Sequence, residues 1–135
     1  MMTSLIGIQA PDVPQWWPAV EPFIRAAVEI GQRYEPSDIL ASLAKREMQL
    51  WAATDEAGSI RAVAVTDIID YPKGRWARVF SCTGQDRDRW LGHISTIEAW
   101  AREAGCKRIE SWSRPGWERI LRDWKKTHVL LEKDL

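Results

Sequence analysis

The chain has 135 residues, with 19 basic and 19 acidic side chains, and 45% of it is hydrophobic. That length supplies one core and not two, so a single domain over 1–135 is expected, and balanced charge excludes a general attraction to nucleic acid or anionic membrane. No apolar run reaches membrane-span length and Met1–Ile8 lacks the basic flank of a secretory signal, which predicts a soluble, cytoplasmic protein. Two histidines and two cysteines without ligand spacing predict no metal site, and Cys82 and Cys106 are expected to stay reduced.

After an irregular start, Val13, Trp16, Val20, Phe23, Ala27 and Ile30 keep a helical period up to Gly31. Pro14 and Pro18 suit a first turn, whereas Pro22 removes a hydrogen bond and predicts a kink or a late start. Pro36-Ser37-Asp38 opens a second helix, with Ser37 as cap and Ile39, Leu40 and Leu43 buried. Two helices therefore precede any sheet. Met48–Thr54 and Ile60–Tyr71 read as strands around a hairpin loop, Asp55–Ser59, and Pro72-Lys73-Gly74 turns the chain back again.

The stretch from Arg75 to Trp112 reads as strand, loop, helix, strand. Arg75–Cys82 is short, aromatic and β-branched. The helix carries Trp90, Leu91, Ile94, Ile97, Ala101 and Ala104 on one stripe, with Asp86 or Asp88 as cap and Gly105 at its end. Lys107–Trp112 follows as a strand, and a strand joined to a strand through a helix predicts a parallel pair. A ligand belongs beyond the carboxyl ends of such strands, against the amino end of the helix, which selects Cys82 to Gly92. Pro115 then starts a short helix over Gly116–Trp124, and Thr127–Lys133 reads as a closing strand. Nine of the thirteen aromatic residues are tryptophan, and their positions on helices and strands favour packing over stacking on a ligand.

This order predicts an α+β fold. Its central sheet is mixed and mostly antiparallel, with a parallel strand pair joined by a long crossover helix and two helices at the start. With the loop opening the long helix, it resembles the Gcn5-related N-acetyltransferase (GNAT) family. The wording Leu50-Trp51, Val65-Thr66-Asp67-Ile68, Tyr71-Pro72, Ile97–Arg102, Gly105-Cys106, Arg114–Leu121 and the closing Leu131–Leu135 is similar to small GNAT-like proteins of tailed phages and prophages. The resemblance implies acetyl transfer from acetyl-CoA to an amine, on a small molecule or a protein, with the cofactor in a wedge between the two parallel strands. It assigns Cys82, Thr83, Gly84, Arg87, Arg89, Leu91 and Gly92 to cofactor binding, since the loop Arg87-Asp88-Arg89-Trp90-Leu91-Gly92 lies on the family's Arg/Gln-x-x-Gly-x-Gly/Ala pattern. Trp90 stands where that pattern has its first glycine, and Asp86 and Asp88 add negative charge beside an anion site.

A transferase also needs a group to take a proton from the amine and one to assist the leaving thiolate. Tryptophans Trp117 and Trp124 stand on the segment that commonly supplies a tyrosine in the family. Glu110, Tyr71 and Cys82 are the catalytic candidates, with Asp67 and Asp70 as further carboxylates; each also has an ordinary structural explanation. The alternative is a GNAT-shaped protein without cofactor, serving a phage virion or binding a phage or host protein.

Overall fold

A computed structural model describes residues 3–114 and 116–135 of the chain. Five strands form one sheet in the order β1-β2-β3-β4-β5: β1 (Ser4–Ile8), β2 (Met48–Thr54), β3 (Ile60–Tyr71), β4 (Gly74–Gly84) and β5 (Arg108–Ser111). The first four are antiparallel, and β4 and β5 are parallel, with Trp76 opposite Arg108 and Val79 opposite Ser111. The helices are α1 (Val13–Gly31), α2 (Pro36–Ala44) and α3 (Ile94–Glu103). Among the described residues no helix is long and apolar enough to cross a membrane.

Alternation along β2 and β3 separates two cores. Leu50, Ala52, Val63 and Val65 join Val20, Ile24, Val28, Ile39 and Leu43 under α1 and α2. Trp51, Ala53, Ala62 and Ala64 face the other way, where Ile97 of α3 and the Trp90 ring pack on them. The small residues on this second face leave room for two indoles. Trp51 spends its N–H on Thr66 Oγ1 at 3.0 Å, and the Thr66 hydroxyl donates to Gln49 Oε1 at 2.9 Å. A buried Trp is thereby satisfied without water.

Both strand boundaries around the hairpin loop Asp55–Ser59 fall where the sequence places them, and so does the end of α3. There Gly105 takes φ +84° and Cys106 N–H bonds to Ala101 O at 2.9 Å, closing the helix in a left-handed turn. Several expectations are corrected. The chain begins with a strand, because all five residues of β1 pair with β2; its mixed exposure at the sheet edge hides the period-two signal. Helix α1 runs unbroken through Pro18 and Pro22. Pro14, Pro18 and Pro22 share its exposed face, so water can reach the carbonyls left without a donor. Its buried side is Val13, Val20, Ile24 and Val28, and Ile30 is 57% exposed. The cap of α2 is Glu35 and not Ser37: Pro36 holds the first helical position, and the Glu35 N–H donates to Asp38 Oδ2 at 2.8 Å.

Two larger corrections lie further on. Helix α3 begins at Ile94, behind two 3₁₀ turns at Arg87–Arg89 and Leu91–His93. Asp86 sits in the left-handed region at φ 53°, and neither Asp86 nor Asp88 caps the helix through its side chain. Past β5, the expected helix over Gly116–Trp124 reduces to a 3₁₀ turn at Trp117–Arg119 and loose turns, and its first residue, Pro115, lies outside the described residues. The expected strand at Thr127–Lys133 does not form. A strand needs a ladder to pair with, and this segment runs in solvent with Leu131 87% exposed, tied by an ion pair from Glu132 to Arg33 at 3.0 Å.

Ala77 on β4 is fully buried against Ala101 and Cys106. Ala77→Leu should cost ~1–3 kcal/mol in urea unfolding through overpacking, whereas the same change at exposed Ala26 should leave the midpoint nearly in place.

Candidate active site

The site is set by an irregularity in β4. Val65 pairs with Ser81 and Thr66 with Val79, so Phe80 has no opposite residue and forms a bulge. The β4–β5 ladder stops at the same level, with Val79 opposite Ser111, while β4 continues to Gly84. Ser111 Oγ donates to Val79 O at 3.2 Å as the last tie between the two strands. Beyond it the parallel ladder ends: β5 stops at Ser111, and β4 runs on paired only with β3.

On the α1/α2 face, just before the end of that ladder, lie the two parts of the candidate chemistry. Asp67 and Arg78 are cross-strand partners joined by two hydrogen bonds, Nε to Oδ1 at 2.9 Å and Nη2 to Oδ2 at 2.6 Å. The Arg78 guanidinium lies 5.4 Å from the Phe80 ring centre and 5.9 Å from that of Trp112, so it is held in its plane by aromatic contact as well. Glu110 stands opposite Arg78 on β5 and accepts a hydrogen bond from Tyr71 Oη at 2.6 Å. Tyr71 in turn packs edge-on against Trp76, 5.4 Å between ring centres. The bond to Glu110 holds the Tyr71 hydroxyl above its ordinary pKa, because ionisation would set two negative charges side by side.

Two of the three catalytic candidates, Tyr71 and Glu110, are thus in direct contact. Cys82 is not with them. The bulge turns it to the α3 face, among Trp51, Ala64, Ile97 and Trp90, where it lines an apolar cavity of about 30 Å³. Burial pushes its thiol up to about 11, which keeps it protonated at neutral pH. Asp70 is bound by Arg75 at 2.8 Å, and Arg75 also donates to Ala104 O at the end of α3. The arginine holds the Asp70 carboxyl below its ordinary range.

The loop residues fall into separate roles. Gly84 is required by strand pairing: a Cβ there would meet the Ala62 Cβ at 2.6 Å and Arg61 O at 2.7 Å. Trp90 buries its indole against Ala53 and Ala62 and donates Nε1–H to Gln85 O at 2.8 Å, so the ring lies under the loop and not over it. Thr3 adds a second anchor, donating from Oγ1 to Arg89 O at 2.6 Å and lying 2.8 Å from His93 Nε2. Asp86 is approached by Arg61 at 3.9 Å and by Arg89 at 4.0 Å, which offsets its charge. Arg87 lies 5.8 Å from the Trp117 ring centre. Leu91 and Gly92 line an open groove of about 240 Å³ between α3 and the C-terminal turns, with Ser95, Glu98, Leu121 and Trp124 as its other walls. A Cβ on Gly92 would meet nothing within 4 Å.

Arg78 and the aromatic side chains around it are absent from the sequence-derived candidates. A cross-strand pair such as Asp67 with Arg78 is readable only once the register is known. The bulge at Phe80 leaves no mark that one sequence displays.

A mixed α+β sheet with a parallel pair whose ladder ends beside the amino end of a helix defines the class of this protein. No protein-family model and no curated protein matches the chain. Solved structures do. An aminoglycoside acetyltransferase from an uncultured soil metagenomic sample, in complex with sisomicin, superposes with TM-score 0.72 over 99% of this chain and 97% of its own, at 11% identity. The aminoglycoside 6'-N-acetyltransferase of Acinetobacter baumannii gives 0.68 over 98% of each chain at 12% identity. The ribosomal-protein-alanine N-acetyltransferase of Brucella melitensis biovar Abortus 2308 gives 0.64 over 96% of this chain and 99% of its own, also at 12%. At such identity the likeness is one of fold, and the fold is that of the GNAT acetyltransferases.

Because Glu110 raises the Tyr71 pKa in the folded protein, the stabilisation from this bond is fully present below the unfolded tyrosine value and is lost as pH rises through the folded one. Glu110→Gln should move the Tyr71 ionisation back down toward its ordinary value. Phenolate absorbance titrations, with Tyr71→Phe subtracted to remove Tyr34, read the shift directly.

Proposed function

We propose that this chain is a GNAT-type N-acyltransferase that moves an acetyl group from acetyl-CoA to an amine, with Glu110 as the proton acceptor. The observation that carries the reading is the position of Glu110: a half-buried carboxylate, oriented by Tyr71, on the last stretch of β5 before its ladder with β4 ends. A phage or prophage source, and action in the cytoplasm, belong to the same reading on the strength of the scattered phage-like wording of the sequence.

The residues present fit the cofactor. Leu91 and Gly92 border an open groove, Gly92 leaves space where a side chain would stand, and Arg87 and Arg89 lie at the amino-terminal side of α3. The Trp90 ring takes none of that space, since it is buried beneath the loop. The charged residues that line the groove are Glu98, which accepts a hydrogen bond from Trp124 Nε1 at 3.1 Å, and Asp123, so the phosphates are assigned to the loop Arg87–Gly92 and not to that acidic wall. Thr83 and Cys82 stand on the stretch of β4 that is paired with β3 but lies beyond the β5 ladder, so the edge toward β5 is available to an extended ligand chain.

Acetyl-CoA, when bound, supplies the acetyl group as an activated thioester. Glu110 takes one proton from the acceptor ammonium, directly or through one water; the freed lone pair would form the C–N bond as the C–S bond breaks, and the second proton of the nitrogen would pass to the leaving thiolate. Tyr71 is a positioning residue that fixes the carboxylate. Arg78, held by Asp67, keeps the neighbouring strands in register and sets the charge beside Glu110.

Titration with acetyl-CoA should change the intrinsic fluorescence, because Trp124 lines the groove. Gly92→Phe should abolish that change while the thermal midpoint stays within a few degrees. Glu110→Gln should keep cofactor affinity and lower kcat by ~10²–10⁴-fold in a thiol-release assay. No fluorescence change at millimolar acetyl-CoA, together with no thiol release across a panel of amines, would overturn the reading.

A further inference from the structure

Register places Tyr71, Trp76, Arg78, Arg108 and Glu110 on one face of the sheet, since Ile69 pairs with Trp76, Trp76 with Arg108, and Arg78 with both Asp67 and Glu110. This is the face from which an amine reaches Glu110. It is rich in aromatic surface that the fold leaves open: Tyr71 is 40% and Trp112 67% exposed, and Tyr34 stands at 43% with its ring edge-on to Phe80. Large aromatic surface left in water next to a candidate site is surface for a ligand body.

The charges on this face decide what that body can carry. Asp67 is neutralised by the two bonds from Arg78. Arg108 lies over the Trp76 ring at 5.3 Å and adds a second positive charge. Among the described residues Glu110 forms no ion pair, and the donor it has is a neutral hydroxyl. One carboxylate is therefore left to receive one ammonium, and Arg108, which no carboxylate pairs among the described residues, disfavours a further cation on this face. The aromatic rims favour a flat or apolar body and a single cation, by stacking and by cation–π attraction.

We infer that the acceptor is a primary amine with one positive charge and an aromatic body, its ammonium at Glu110 and its ring against Trp112, in contrast to the polycationic aminoglycosides. The inference rests on the acyltransferase reading above. It gives Trp112 a specificity role that the fold does not require, because its ring is largely solvent-exposed.

The test compares phenethylamine and tryptamine with spermidine and kanamycin in the thiol-release assay with acetyl-CoA. The aryl amines should show kcat/KM at least about tenfold higher. Trp112→Ala should raise KM for tryptamine about tenfold with kcat nearly unchanged, and Trp112→Phe should restore most of the affinity. Faster turnover of spermidine or kanamycin, or a Trp112→Ala enzyme with unaltered KM, overturns the inference and leaves the acyltransferase reading standing. Absence of an acetyl-CoA binding signal brings down both.

Discussion

The one extra residue in β4 is the constraint on which the rest depends. A strand alternates faces with period two, so Ala77 and Cys82, five positions apart, could not both face α3 without an insertion between them. Phe80 is that insertion, unopposed in the ladder and packed with the α1/α2 core. Upstream of it, Asp67 and Arg78 lock β3 to β4; level with it, β5 loses its partner. The bulge thus turns Cys82 inward and keeps Arg78 and Glu110 on the other face, and the parallel ladder ends at its level. A single backbone irregularity sets both the inside and the mouth of the candidate site.

The same geometry explains which candidates come together. Glu110 and Tyr71 are thirty-nine positions apart in sequence and share a hydrogen bond because β3 doubles back into β4 and β5 runs beside it. Cys82, chosen for its place at the strand end, is sequestered by the phase shift that no pattern in one dimension reveals. The loop acids behave similarly. Asp86 is adverse to an anion in sequence, with Arg87 and Arg89 beside it to offset its charge; in the fold Arg89 stays near it and Arg61 also reaches it across the hairpin register.

What was legible in the sequence is what rests on local periodicity and punctuation. The strands Met48–Thr54 and Ile60–Tyr71, the five-residue loop between them and the glycine end of α3 all obey rules that act over a few residues. What was not legible rests on partners. Strand β1 is defined by its ladder with β2 and has little amphipathic signature, and the carboxyl-terminal segment has the composition of a strand but meets no ladder. Trp90 fits a helical stripe by spacing, yet its ring enters the core from the residue between the two 3₁₀ turns, at φ −127°, and α3 starts only at Ile94. Tertiary burial overrode local propensity there.

Trp90, which stands where the loop pattern of the resemblance has a glycine, bears on how such a loop can be shaped. Glycines in such a loop permit close backbone approach, but they leave the loop without side chains to hold it in place. Here the loop is held from below instead: the indole fills the space over Ala53 and Ala62, its N–H closes back on Gln85 O, and Thr3, just ahead of β1, fastens Arg89 and His93. The anchored side faces the sheet, so Gly92 remains on the open side, where the groove runs past α3. One glycine kept at the surface and one replaced by a buried ring divide the two tasks of the loop, access and order, between different residues. Trp90 therefore leaves the groove side of the loop open, because the bulk it adds points into the core.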